Sequence, residues 1–286
     1  MPWRVLLCSD GSPAATAGAS MLEALGLVED SEIVVLRVHE PGHATAPIDV
    51  GLAELRSRLE VGGRTPDVRV RHGHAAEEIL AEAETHSYDL VVVGAQGRRG
   101  LTRFRLGSTA SRLARHLPTS LLACRRVPVA VERILLCTSG ETPSLATLRF
   151  GSSLAVRAGA RVTLLHVMSQ VALTWASPSD DLADTAETAI ARGTREGLHL
   201  KHGLEVLAQA GLRHPPTARL RHGLVVDEVL AEIRQGDHQL LTIGAHRPPE
   251  ASAAYAPYLD DVADRLLTHA PCSVLIVRAP TGGARA

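Results

Sequence analysis

The chain has 286 residues, of which 45% are hydrophobic and 21% are charged, so it can form two domains of ordinary size and is not a disordered chain. Its 30 basic and 31 acidic residues give a formal charge of −1, whereas a general binder of nucleic acid backbones would carry a basic surplus. Lys201, the only lysine, lies outside any Gly-x-x-x-x-Gly-Lys-Ser/Thr loop, so the sequence has no Walker-A phosphate site.

Short apolar runs alternate with amphipathic stretches along the first half of the chain. Runs that are continuous and rich in β-branched residues or leucine are typical of parallel strands buried on both faces. Five such runs predict strands, at residues 5–8, 33–38, 68–71, 90–93 and 121–124.

Three helices are predicted between these strands. The first covers residues 12–26 and opens on a serine and a proline, which suit a helix cap and first turn. The second covers residues 75–86, and its glutamates, Glu82 among them, are expected outside or at the edges of its apolar face. The third covers residues 108–116 and ends before a proline.

The second half of the chain repeats the first. A period of well over a hundred residues indicates a duplicated domain and not a solenoid of short repeats. The matching segments are 4–9 (RVLLCS) with 133–138 (RILLCT), 33–38 (IVVLRV) with 162–167 (VTLLHV), and 70–73 (VRHG) with 220–223 (LRHG).

Domain boundaries follow from this repeat. We expect a nucleotide-binding domain at 1–127, a linker at 128–131, a second domain at 132–280 and a flexible tail at 281–286. The offset between matching segments grows after the second pair, which predicts an insertion within 168–217. Strand–helix alternation with five strands in each copy predicts an α/β fold of two tandem, doubly wound, five-stranded parallel-sheet domains.

The fifth strand of each copy should lie at the edge of its sheet. The runs at 121–124 and 274–277 are bare and apolar, and such edges are normally paired or covered. We therefore expect the two halves to pack as an intramolecular pseudo-dimer. A further homodimer of the whole chain remains an open alternative.

A glycine loop follows the fourth predicted strand. Gly94, Gly97 and Gly107 are spaced as Gly-x2-Gly-x9-Gly, and Ser108 and Thr109 then open a helix. Glycines let the backbone approach an anion closely, while a helix N-terminus and two hydroxyl groups supply donors. The pattern therefore predicts a phosphate site.

The end of the first strand should lie beside this loop. Ser9 and Asp10 close that strand, and in a doubly wound sheet the loops after strands one and four meet at the topological switch point. With Asp10 and the glycine spacing together, the sequence resembles the universal stress protein family over nearly its whole length, as two tandem copies.

The resemblance implies a fold like that of the adenine nucleotide alpha hydrolases (HUP-like) and an ATP-binding protein of stress response or signalling. ATP, with Mg²⁺, would bind to the first domain. The main chain at Val38 would contact adenine, Asp10 would contact the nucleoside, and the glycine loop would hold the phosphates, with Arg98 beside it to neutralise charge. A protein partner of unknown identity is also implied.

The second half departs from the pattern. Ser139 replaces Asp10, Arg247 replaces Gly97, and Asp260-Asp261 stand opposite Gly107-Ser108. Carboxylates at that place repel a triphosphate unless a metal ion intervenes. We therefore expect this half to be a structural or regulatory copy.

Two other classes of function remain open. One is a slow ATP hydrolase or nucleotidyl-transferring enzyme, although no residue near the loop is an evident base and no catalytic residue is assigned. The other is an interaction scaffold that binds no nucleotide.

A zinc site and a membrane location are both disfavoured. His39-Glu40-Pro41-Gly42-His43 fits His-Glu-x-x-His, but that motif needs a helix, which Pro41-Gly42 would break. The four cysteines form no Cys-x-x-Cys pair, the N-terminus lacks the shape of a signal peptide, and no stretch is apolar enough to span a membrane. We expect a cytoplasmic chain with reduced thiols and no metal ligands.

Overall fold

In the computed structural model the chain is an α/β protein whose described residues form ten strands and nine helices. The first half contains, in chain order, β1 (Trp3–Ser9), α1 (Pro13–Ala24), β2 (Ser31–His39), α2 (Ile48–Leu59), β3 (Asp67–His72), α3 (Ala75–Thr85), β4 (Leu90–Gly94), α4 (Ser108–His116) and β5 (Ser120–Cys124). The structure describes residues 2–9, 13–40, 48–60, 65–95, 107–125, 130–139, 144–169, 185–245 and 261–278.

The second half follows the same order, with one additional helix among its described residues. It contains β6 (Arg133–Thr138), α5 (Ser144–Ala158), β7 (Arg161–Met168), α6 (Ala186–Arg192), α7 (Arg195–Ala208), β8 (Thr217–His222), α8 (Val225–Gln235), β9 (Leu240–Gly244), α9 (Asp261–His269) and β10 (Ser273–Val277). The pair α6 and α7 occupies the stretch that corresponds to α2 in the first half.

The strands form one sheet in the order β3-β2-β1-β4-β5-β10-β9-β6-β7-β8. Within each half the strands are parallel, and the order reverses between β1 and β4 and again between β6 and β9. The predicted doubly wound fold is therefore confirmed. Each reversal creates a crevice at the carboxyl ends of two neighbouring strands, where open α/β sheets bind their ligands.

Helices cover both faces of this sheet. One core cluster joins it to α1, α2, α5 and α7 through side chains such as Leu22, Leu55 and Leu148. The other joins it to α3, α4, α8 and α9 through side chains such as Ile79 and Leu113. In the first half we call these two sides the α1/α2 face and the α3/α4 face.

Glu82 corrects one detail of the predicted helix α3. Its residue is 1% exposed, and its carboxylate accepts hydrogen bonds from Arg71 of β3 (2.6 Å) and from the Tyr88 hydroxyl (2.8 Å), as well as from Arg69. Burial by itself raises the pKa of this carboxyl, but the hydrogen bonds from Tyr88, Arg71 and Arg69 outweigh it and hold the pKa below its ordinary value. The prediction of an outer position was wrong because these partners come from other elements.

The two halves join through their fifth strands, as expected for a pseudo-dimer within one chain. β5 and β10 pair antiparallel, with Leu122 opposite Leu275, and both side chains are fully buried. Elsewhere between the halves, the rings of Trp3 and Phe150 lie 4.7 Å apart, and Arg157 pairs with Asp30 at 2.8 Å. Two apolar edges are thereby covered at once.

Two arginines reinforce this joint in a reciprocal manner. Arg125, after β5, donates its backbone N–H to Ser273 Oγ (3.1 Å), and its Nη2 donates to the carbonyls of Leu267 and Thr268 at the end of α9 (2.7 and 2.8 Å). Arg278, after β10, donates in the same way to Ser120 Oγ (3.2 Å) and to a carbonyl of α4. Each guanidinium thus satisfies carbonyls at the end of a helix of the other half, where positive charge is favourable.

We predict that Arg125→Met lowers the free energy of unfolding by about 2 kcal/mol, because charged hydrogen bonds of this kind contribute roughly that amount. Urea denaturation of the whole chain measures the loss. Arg161→Met is the matched control. Arg161 is exposed, and this variant removes the same charge elsewhere in the sheet. Equal unfolding energies for the two variants would contradict the proposed role of Arg125.

Candidate functional site

The candidate site lies at the carboxyl edge of the first half, where β1 and β4 are neighbours and the strand order reverses. Ser9 is the last residue of β1, Gly94 is the last residue of β4, and Val38 lies near the end of β2. The fold therefore brings three of the predicted residues to one edge. Asp10, Gly97 and Arg98 lie outside the described residues.

The glycine loop begins and ends at one point of this edge. The backbone N–H of Gly107 donates to the Ala95 carbonyl at 3.0 Å, and the N–H of Ala95 donates to the Cys124 carbonyl at 2.7 Å. The start of α4 is thereby tied to the residue that follows β4. Ala95 was not singled out from the sequence, because a backbone acceptor leaves no residue-type signal.

The N-terminus of α4 has the features of an anion site. Gly107 is its N-cap in an extended conformation (φ −65°, ψ 147°), and the first turn contains no acidic residue. By helix geometry, the first N–H groups of α4 have no acceptor within the helix. The Ser108 side chain is exposed and that of Thr109 is half-buried, so two hydroxyl groups are close to these amides.

The main chain at Val38 lies at the same edge of the sheet. Gly73 donates its N–H to the His39 carbonyl at 3.0 Å, so the His39 carbonyl points toward β3. Carbonyls alternate along a strand, and the Val38 carbonyl therefore faces β1, whose last paired residue is Ser9, opposite Arg37. The Val38 carbonyl thus lies one residue beyond the last described pair of β1 and β2.

Ser9 and Cys8 lie on opposite faces of β1, and both are buried. Ser9 is 4% exposed and shares the α1/α2 face with Leu7. Burial raises the pKa of the Cys8 thiol, and the charge of Glu82 raises it further. Cys8 is therefore a protonated core residue, as expected from its position in the strand.

The second half differs at the equivalent positions. α9 begins at Asp261 as α4 begins at Ser108, which agrees with the alignment made from the sequence. The first turn of α9 contains Asp261 and Asp264. Asp261 therefore lies where the first half has Ser108, whereas Asp264 forms a salt bridge with Arg115 of α4 at 3.1 Å. Arg247 and Asp260 lie outside the described residues.

The described residues contain no group of three or more histidine, cysteine or acidic side chains that could hold a metal ion. His39 is the last residue of β2, so the helical geometry of His-Glu-x-x-His is not present at that residue. The Glu40 carboxylate accepts a hydrogen bond from the Ala75 N–H at 3.0 Å, at the start of α3. Within the same described residues, no helix is long and apolar enough to cross a membrane.

Known structures share this architecture. A universal stress protein from Archaeoglobus fulgidus DSM 4304 is 17% identical, with 96% of this chain and 98% of that chain covered and a TM-score of 0.68. A functionally unknown protein from Pseudomonas aeruginosa PAO1 is 15% identical, with 97% and 92% covered and a TM-score of 0.68. At these identities the likeness shows the fold. No curated protein sequence matches the chain significantly.

The sequence itself matches one family twice. The profile of the universal stress protein family covers residues 1–125 and again residues 130–278. These two segments agree with the two halves of the ten-stranded sheet and with its two points of strand reversal. The chain therefore belongs to the universal stress protein family, as a tandem of two family domains.

Proposed function

We propose that the first half binds ATP, together with Mg²⁺, and that the protein acts in stress response or signalling through a nucleotide-dependent conformation or partner. The observation that carries this proposal is the closure of the glycine loop at the switch point. The hydrogen bond from Gly107 to Ala95 keeps the N-terminus of α4 beside the end of β4. An anion held by the loop would thus meet the free amides of α4.

In this proposal the two ends of the nucleotide contact different parts of the site. The Val38 carbonyl can accept a hydrogen bond from the exocyclic amino group of adenine, and guanine has a carbonyl at that position of the ring. The hydroxyl groups of Ser108 and Thr109 can donate to phosphate oxygens. Asp10, Gly97 and Arg98 complete the proposed site, with Asp10 at the nucleoside and the other two at the phosphates.

We further propose that only the first half binds ATP. Asp261 puts negative charge at the first position of α9, and a phosphate group there would be repelled. At the N-terminus of a helix this carboxylate also competes for the amides that an anion would use.

The proposal predicts that the protein carries nucleotide when it is purified under gentle conditions. Native mass spectrometry of the intact chain should show one added mass equal to ATP or to ATP with Mg²⁺. Denaturation followed by chromatography should release the nucleotide. A chain that carries no nucleotide and takes up none from millimolar Mg-ATP would favour the nucleotide-free scaffold.

A second prediction concerns the N-cap of α4. Gly107→Asp should weaken ATP binding at least tenfold, which corresponds to about 1.4 kcal/mol, because the new carboxylate repels the phosphates and caps the amides they would use. The fold should be retained, since the conformation of Gly107 is open to any residue and aspartate is a good N-cap.

Gly107→Ala is the matched control because it adds a Cβ atom without charge. Calorimetric titration of both variants separates the steric part of the loss from the electrostatic part, and the aspartate should cost more. Wild-type affinity in a folded Gly107→Asp protein would mean that the phosphates do not lie at α4.

A further inference from the structure

Arg37 is a buried charge at the carboxyl edge of the first half. It is 3% exposed and pairs in register with Ser9 at the end of β1. Alternate residues of a strand share a face. Because Val35, two residues earlier, belongs to the core that contains Leu22 of α1, Arg37 lies on the α1/α2 face.

No acceptor for the Arg37 guanidinium is present among the described residues, which distinguishes it from comparable arginines of the chain. Arg71 and Arg221 pair with buried glutamates, and Arg125 donates to helix carbonyls. A buried charge without a counter-charge destabilises the folded state. Such a group is therefore stabilised when a ligand brings the missing negative charge.

Two histidines are neighbours of Arg37 on this side of the sheet. His39 lies two residues further along β2, on the same face, and its ring stacks on that of His72 with centroids 5.1 Å apart. Burial lowers the pKa of His39, and the charges of Arg37 and His72 lower it further. His72 is exposed, so this group of side chains reaches the surface.

The equivalent place in the second half is built differently. His166 occupies the position of Arg37, and its Nδ1 donates to the Thr138 carbonyl at 3.0 Å. The ring centroids of His166 and His199 lie 5.5 Å apart, and His199 Nε2 lies 2.6 Å from Thr138 Oγ1. Met168 occupies the position of His39. The second half thus satisfies this position internally and carries no guanidinium there.

We propose that Arg37, His39 and His72 form an oxyanion site on the α1/α2 face of the first half, suited to a phosphate group. A planar guanidinium binds two oxygens of such an anion, and the imidazole N–H groups can supply further hydrogen bonds. The anion is either free inorganic phosphate or a phosphate carried by a bound nucleotide. α4 packs on the opposite face, so this site is separate from the glycine loop, and its binding of free phosphate does not depend on the proposed ATP site.

The test uses the whole chain and inorganic phosphate, titrated by calorimetry against a chloride solution of equal ionic strength. Wild type should bind phosphate, and Arg37→Met should lose at least tenfold in affinity. In phosphate-free buffer Arg37→Met should be no less stable than wild type, because it removes a buried charge that has no acceptor among the described residues and keeps an apolar stem. A merely structural Arg37 would instead give a less stable variant with an unchanged response to phosphate.

Three further variants make the result specific. Arg37→Gln repeats the test with a polar side chain in case the methionine variant does not fold. His166→Met alters the equivalent position of the second half and should retain the phosphate response. Gly107→Asp should also retain it, since that change affects the other face. A phosphate response that Gly107→Asp abolishes and Arg37→Met preserves would overturn the proposal.

Titration in the presence of saturating Mg-ATP distinguishes the two sources of the anion. If the nucleotide supplies the phosphate, ATP should prevent phosphate binding, and Arg37→Met should weaken ATP as well. If the anion is free phosphate, both ligands should bind together, and ATP affinity should be unchanged in Arg37→Met. An Arg37→Met protein with wild-type affinity for both phosphate and ATP would show that Arg37 contacts no anion.

Discussion

Antiparallel pairing of β5 with β10 is the contact on which the arrangement of the whole chain depends. Each half is a parallel sheet whose last strand would otherwise expose backbone groups and apolar side chains. Pairing the two edges covers both and buries Leu122 against Leu275. It also turns the second half around, since its strands then run opposite to those of the first. The two strand reversals, and the two crevices they create, therefore open at opposite edges of one continuous sheet.

This geometry lets the two crevices diverge independently. In the first half, the N-terminus of α4 has hydroxyl groups and no acidic residue, whereas in the second half α9 begins at Asp261. The joint itself uses main-chain pairing of β5 with β10 and the reciprocal contacts of Arg125 and Arg278, and none of these depends on the residues at the start of α4 or α9. A duplicated domain can thus retain its structural role after the residues of its ligand site have changed.

Much of this could be predicted from the sequence, because the relevant forces are local or periodic. Apolar runs gave the strands of the first half, and their bare fifth strands predicted the joint between the halves. Helix α2 was not predicted, and Glu82 was placed wrongly, since the partners that bury it belong to β3 and to Tyr88. Arg37 was hidden within an apolar run. Its burial without an acceptor in the described part of the chain is a property of the three-dimensional packing, which no spacing in the sequence reveals.

The central claim is that a single half of the tandem binds nucleotide. Calorimetric titration of the intact chain with Mg-ATP measures this directly, because the fitted ratio counts sites without assuming where they lie. The account predicts one ATP for each chain. A ratio near two, or ATP bound beside Gly244 in the second half, would contradict it.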